Sequence, residues 1–208
     1  MSTLSPRPTV QRTRTTSETD IRLTLMLDGS GQARVDTGIG MLDHLLTALA
    51  KHGRLDLELS CRGDLHIDDH HTVEDCAIVL GQALDEALGD RRGIERFASA
   101  YAPLDEALAR AVVDLSGRPW PEVHLDLRRE QLGTLSTENI PHFVQTLAMS
   151  ARAAIHLDVL RGVNDHHKAE AAFKALALAL RSAVARDPAR LDTIPSTKGS
   201  LEPRPEVP

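Results

Sequence analysis

Apolar and polar positions alternate at Ile21, Leu23, Leu25 and Leu27, at Leu55, Leu57 and Leu59, at Val123, Leu125 and Leu127, and at Ile155, Leu157 and Val159. Successive side chains of a strand point to opposite faces, so each run predicts a strand buried on one side. Between these runs, residues 41–52, 70–88, 140–152 and 166–185 have helical composition and spacing. Asp43 and Asp69 stand near two predicted starts and Gly89 just past a predicted end, as helix-boundary residues do. Strands and helices therefore interleave.

The order strand, helix, strand, helix occurs once between about residues 21 and 89 and again between about 109 and 186. Short motifs repeat with it. Asp28-Gly-Ser-Gly31 is echoed by Asp114-Leu-Ser-Gly117, Met41-Leu-Asp-His44 by Asn139-Ile-Pro-His142, and Asp69-His-His-Thr-Val-Glu74 by Asp165-His-His-Lys-Ala-Glu170. The step from His44 to His70 is 26 positions and that from His142 to His166 is 24. Three matched motifs in one order at near-equal spacing predict an internal duplication. The half-repeats are 9–92 and 93–200, together one compact domain, with a flexible stretch at 1–8. Residues 201–208 hold three prolines and three charged groups, a composition that cannot bury a core, and predict a disordered tail.

Composition narrows the class. With 41% apolar but only 2% aromatic residues, the interior must be built from Ala, Leu, Val and Ile, and further burial by self-association is expected. The net charge is −6 and the Lys and Arg residues are scattered, so nucleic acid is not an expected partner. Cys61 and Cys76 show no CxxC spacing and fit a reducing compartment as small core residues. The first twenty residues lack an apolar signal segment, and no run approaches the roughly 18 apolar residues of a membrane span. The expected location is the cytoplasm, with no membrane partner.

Six of the ten histidines fall inside the repeated motifs. Residues four apart share a helix face, so His70 with Glu74, and His166 with Glu170, each offer an imidazole and a carboxylate to one cation. His71 and His167, about 100° further round the helix, point elsewhere. If the halves are related by an approximate twofold axis, each metal takes a His and a Glu from one helix and the neighbouring His from another, and the helices carrying His44 and His142 add one imidazole to each site. Two equivalent sites of three imidazoles and one carboxylate follow, each with about two octahedral positions left for water or substrate. The absence of thiolates disfavours structural zinc and suits Mn(II), with Fe(II), Co(II) or Zn(II) as replacements. His52, His66, His124 and His156 have no such counterpart and read as surface or packing residues.

Five segments carry a resemblance: Thr37-Gly-Ile-Gly-Met-Leu-Asp-His44, His66-Ile-Asp-Asp-His-His-Thr-Val-Glu-Asp75, Tyr101-Ala-Pro-Leu-Asp-Glu-Ala107, Asp165-His-His-Lys-Ala-Glu170 and Pro195-Ser-Thr-Lys-Gly199. Together they resemble the signatures of imidazoleglycerol-phosphate dehydratase, the dehydratase of histidine biosynthesis, over nearly the whole chain. Met41-Leu42 stand where aromatic residues are common in that family, and Lys168-Ala169 where apolar ones are. The resemblance implies an α+β fold, internally duplicated, with a helical layer packed between two small mixed β-sheets. It implies dehydration of imidazole glycerol phosphate to imidazole acetol phosphate through a metal-bound imidazolate. Two Mn(II) per chain would be held by His44, His70, His71, Glu74, His142, His166, His167 and Glu170, with Glu18 and Glu170 as acid/base groups. Arg96, Arg118, Lys174, Ser196 and Lys198 would bind the substrate phosphate. Assembly into a homo-oligomer of 24 chains, with sites at subunit boundaries, is the family expectation.

Neither composition nor periodicity singles out Glu18 or the phosphate-binding group. Two other readings of the metal cluster stay open at this point. A di-metal hydrolase usually shares a bridging carboxylate, whereas this set has six imidazoles and two carboxylates. A metal-storage protein leaves the Ser-Thr-Lys turn and the arginines unused.

Overall fold

The computed structural model describes residues 5–201. The first half runs β1 (Val10–Thr15), β2 (Thr19–Met26), β3 (Ala33–Asp36), α1 (Gly40–Gly53), β4 (Asp56–Gly63) and α2 (His70–Leu88). The second half runs β5 (Phe97–Leu104), β6 (Ala107–Asp114), β7 (Trp120–His124), a short hairpin β8 (Gln131–Leu132) and β9 (Leu135–Ser136), α3 (Asn139–Ser150), β10 (Ala154–Arg161) and α4 (Asp165–Ala183). The two main sheets have the same strand order, β1-β2-β4-β3 and β5-β6-β10-β7. In each, the first three strands pair antiparallel and the last pair is parallel, joined across by α1 or α3. The duplication predicted from the motifs is thus a duplication of topology, and the α+β architecture is as expected.

Each sheet lays its apolar face on helices, and helices of one half pack on helices of the other. α2 covers β1 and β2, α4 covers β5 and β6, and across the middle α1 packs on α4 and α2 on α3. Ile21, Leu23 and Leu25 of β2 and Leu57 and Leu59 of β4 point into this layer and are buried, which is the alternation read from the sequence. In the second half the buried face of β6 is Ala107, Ala109, Ala111 and Val113, against the alanine-rich α4. Small residues on both surfaces let helix and sheet approach closely, but they leave no run of large apolar residues to mark the strand.

Several predicted boundaries need correction. The strand read at Val123, Leu125 and Leu127 is β7, which ends at His124. Asp126 lies beyond it in the left-handed region (φ 48°) and breaks the extended run, so Leu125 is buried from a loop. β1, β3 and β5 are edge strands. β1 (VQRTRT) and β3 (ARVD) carry too few large apolar residues to betray themselves by periodicity. α4 begins one residue earlier than predicted, where Asn164 accepts from the backbone N–H groups of His166 and His167. Asp69 stands at the N-cap of α2 and Asp43 in the first turn of α1, but neither side chain caps its helix. Asp43 accepts from Thr37 N and Oγ1 at 2.9 and 2.6 Å, and Asp69 from Ser136 N and Oγ at 2.6 and 2.9 Å.

Of the stretch 1–8, Arg7 is tied to Asp28 by its backbone N–H and its guanidinium, at 2.7, 3.1 and 2.6 Å. Most of the tail expected to be disordered, residues 202–208, lies outside the described residues. Cys61 and Cys76 are buried free thiols. Met41 and Leu42 are buried, and so is Lys168, whose Nζ donates to Asp126 O at 2.6 Å and pairs with Asp165 Oδ1 at 3.2 Å. Among the described residues, no helix is long and apolar enough to cross a membrane.

The α2–α3 contact is tightest at Gly81. A Cβ there would lie 2.5 Å from Ser150 Cβ and 2.9 Å from both Ala151 N and Leu147 O. Helix propensity favours alanine over glycine by roughly 0.5–1 kcal/mol, but overpacking a closed contact costs about 1–3 kcal/mol, so the steric effect wins. Gly81→Ala is expected to lower the melting temperature of the metal-free protein by about 2–4 °C per kcal/mol lost. An unchanged or raised melting temperature by calorimetry would show that α3 shifts away freely.

Candidate active site

Helix exchange between the halves brings the predicted donors together. α1 lies on α4, so His44 of the first half meets His166 and Glu170 of the second. α2 lies on α3, so His142 of the second half meets His70 and Glu74 of the first. In each trio the ligand atoms all lie within 4.8 Å of one another. The imidazoles stack, with centroids 5.5 Å apart for His44 and His166 and 4.8 Å for His70 and His142. Each trio holds two of the three imidazoles expected at a site, together with its one carboxylate.

The donor chemistry fits a cation. His44 Nε2 and His166 Nε2 both converge on Glu170 Oε2, at 2.9 and 3.2 Å, and His142 Nε2 lies 3.2 Å from Glu74 Oε1. Two imidazoles and a carboxylate aimed at one point are nitrogen and oxygen donors of the type that hold Mn, Fe, Co or Zn ions. Asn139 Oδ1 meets His70 Nδ1 at 3.2 Å and so leaves Nε2 facing the trio.

Local structure holds the donors in place. Pro141 sits in the first turn of α3, where its missing N–H costs nothing, and His142 follows it. The residue before each His-His pair ties the helix start to the segment between β7 and α3. Asp69 holds Ser136, and Asp165 Oδ2 accepts from Arg128 N and Arg129 N at 2.8 and 2.7 Å. One segment of the second half thereby fastens the N-terminal ends of both His-bearing helices.

His71 and His167 belong to neither trio. They turn aside, as their position on the helix requires, with Nδ1 of His71 on Asp64 at 3.0 Å and Nδ1 of His167 on Glu106 at 2.7 Å. The carboxylate of Asp64 raises the pKa of His71 above its ordinary value, and that of Glu106 does the same for His167. Glu18, on the β1–β2 turn, reaches to 3.7 Å from His71 Nε2. That turn is held over α2 by buried Asp75, which accepts from Arg14 Nε at 3.0 Å and Thr19 Oγ1 at 2.5 Å. Asp64 and Asn139 were missed by the sequence reading, and only the fold places them. Glu106 lay inside the quoted 101–107 motif without a role.

Four of the five phosphate candidates share a cavity of about 780 Å³ lined by Arg96, Arg118, Ser196 and Lys198, with Arg190 at its side. Arg96 is fixed there by Asp114 at 2.7 and 3.1 Å and by Pro195 O at 2.8 Å, and its guanidinium lies 4.2 Å over the ring of Phe97. Lys174 is not in this cavity. Its Nζ pairs with Glu170 Oε1 at 2.6 Å, beside the His44 trio.

Residues 37–180 match the sequence model of the family described as imidazoleglycerol-phosphate dehydratase. A relative of that name from Gluconobacter oxydans is 58% identical over 188 residues, covering 90% of this chain and 95% of the relative. One from Candida glabrata is 57% identical over 206 residues, covering 90% and 97%. Another, from Phytophthora nicotianae, is 60% identical over 90% of this chain, which spans 41% of that protein's length. The crystal structure of imidazoleglycerol-phosphate dehydratase from Staphylococcus aureus superposes with a TM-score of 0.77 at 37% identity, covering 86% of this chain and 100% of that one. The Pyrococcus furiosus enzyme, solved in complex with (S)-C348, gives 0.78 at 37% identity, covering 91% and 100%. Fold and likeness together define a hydro-lyase. The chain belongs to the imidazoleglycerol-phosphate dehydratase family.

Burial pushes the Glu170 carboxyl up, but Lys174 and His44 outweigh it and hold it down at about 2. Folding therefore favours the ionised form. That contribution is present above the unfolded carboxyl range near about 4.3 and fades as pH falls through the folded value. In the metal-free protein, carboxyl NMR should find Glu170 titrating near 2, and Lys174→Met should move it upward. A titration unmoved by Lys174→Met would contradict the pairing.

Proposed function

We propose that the chain dehydrates imidazole glycerol phosphate to imidazole acetol phosphate in the cytoplasmic synthesis of histidine, with one Mn(II) at each trio and hence two per chain. The observation that carries this reading is the pair of imidazole–carboxylate trios, each assembled from both halves of a family member. Among the described residues each carboxylate serves its own trio and none bridges the two, which separates the arrangement from a di-metal hydrolase. Manganese so held would supply Lewis-acid withdrawal of electrons from the substrate's ring.

Dehydration takes a hydrogen from one carbon and a hydroxyl from its neighbour, so a proton must be delivered to the departing oxygen. Glu18, exposed beside His71, is the carboxyl free to move that proton, and Glu170 is the ionised partner that doubles as a donor to the cation. His71 and His167 complete the proposed ligand set. Arg96, Arg118, Ser196 and Lys198 would grip the phosphate through charge-assisted hydrogen bonds, and Lys174 would add its charge from the Glu170 side.

The last group supports a multi-chain site. Ala183, at the far end of α4, accepts from Arg96 N, and at 1.5 Å per residue it lies about 20 Å along the helix from Glu170. A substrate the size of a phosphorylated glycerol-imidazole cannot span that distance within one chain. The site is therefore proposed to form between copies, with His71 and His167 turned outward to meet a neighbour's trio. Phe97, Tyr101, Trp120 and Leu160 stand exposed on the second half, as a self-associating surface would have them. The 24-chain assembly is the proposed form, and nucleic acid and membrane have no part in it.

Manganese-loaded protein incubated with imidazole glycerol phosphate should yield the keto product, and no product from fully loaded protein would end the reading. Chelation should also split the assembly into smaller species in a sedimentation run, and an unchanged profile would remove the metals from the subunit boundary. Glu18→Gln should keep two metals per chain by titration yet lose about 10²–10⁴-fold in turnover. Full activity in that variant would take Glu18 out of the mechanism.

A further inference from the structure

We propose that Glu106 is a positioning residue, which fixes the ring of His167 through Nδ1 so that Nε2 alone is presented as a donor. The assignment rests on the metal-binding reading of His167 given above.

The duplicated topology makes Glu106 the counterpart of Glu18. Glu18 immediately precedes β2 and Glu106 immediately precedes β6, each on the hairpin turn that opens its sheet. Both carboxylates reach the second histidine of the His-His pair in their half, but they approach different nitrogens. Glu18 Oε1 stands 3.7 Å from Nε2 of His71, whose Nδ1 is already occupied by Asp64. Glu106 Oε2 takes Nδ1 of His167 itself, at 2.7 Å.

The other oxygen of Glu106 is also committed. Oε1 accepts from Val163 N at 3.1 Å and Asn164 N at 2.8 Å, the residues that lead into α4. Asn164 in turn caps α4 through His166 N and His167 N. One carboxylate therefore sets both the start of the helix and the orientation of the ring it bonds. An imidazole whose Nδ1–H is donated to a carboxylate carries its lone pair on Nε2, the form a metal ligand requires. The duplication has thus divided two tasks: in the second half the turn carboxylate orients a ligand, and in the first half Asp64 does so, which leaves Glu18 free.

The test measures Mn(II) binding to the full-length chain by calorimetry in wild type, Glu106→Ala, Glu106→Gln, His167→Ala and the His167→Ala/Glu106→Ala double variant. Glu106→Ala is expected to weaken one of the two sites by about 10–100-fold. Glu106→Gln should not restore it, because the single amide oxygen can serve either the two backbone N–H groups or His167 Nδ1, and the amide N–H2 then faces the other. In the His167→Ala background the further loss of Glu106 should change nothing, since its effect passes through that ring.

Unchanged affinity in Glu106→Ala would overturn the proposal. So would an equal loss in the presence and absence of His167, which would make Glu106 an anchor of the 163–164 turn and no more. Wild-type protein that takes up no manganese would instead sink the metal-binding reading, and the positioning role with it.

Discussion

The structure depends on the exchange of helix contacts between its halves. Among the described residues neither half contains a complete trio of donors by itself, because α1 rests on α4 and α2 on α3, each across the halves, rather than α1 on α2 and α3 on α4. The exchange is allowed by small residues at the contacts. Gly81 of α2 leaves the space that Ser150 and Ala151 at the end of α3 occupy, and Gly53 of α1 faces the backbone of Ala177. Close-packed interiors transmit such distances faithfully, so the geometry of the trios is set by contacts two or three turns further along the same helices. Packing and site are one problem here.

The helices also run with their N-terminal ends together at the trios. His44, His70, His142 and His166 all lie in the first or second turn of their helices. Such ends carry partial positive charge and favour anions, which is unhelpful to a cation unless carboxylates are present. Glu74 and Glu170 stand one turn in, and Glu170 is kept ionised by Lys174 and His44. The carboxylate in each trio thus does more than complete a donor count. It offsets the field of the helix ends that deliver the imidazoles.

Much of this was legible in the sequence, for reasons that differ by element. The large alternating residues of β2, β4 and β10 and the paired His-His-x-x-Glu blocks announced themselves, because burial of Ile and Leu on one face and ligand spacing of one helical turn both leave a local period. β5 and β6 did not, because their buried face against α4 is chiefly alanine, which scarcely contrasts with polar neighbours. The partners of each trio were readable only through the duplication, since His44 and Glu170 stand 126 positions apart. Asp64 carried no pattern, and Asn139 opened the repeated Asn139-Ile-Pro-His142 motif without any sign of its role. They act by meeting the far side of a histidine ring, a contact that chain folding alone decides.

That last class of contact explains why two copies of one design need not remain equivalent. A ring nitrogen must be fixed in both halves, but any carboxylate that reaches it will serve. In the first half the end of β4 supplies Asp64, and in the second half the hairpin turn supplies Glu106. The choice has consequences at a distance, because a carboxylate bonded to a ring and two backbone N–H groups is depressed to about 2. Both of its oxygens are committed to those donors, so neither is left to face a substrate. Glu18, with its neighbouring ring already held from the other side, has no such duty. Freedom at one position therefore follows from commitment at another, and two halves alike in topology differ in which carboxylate holds the ring.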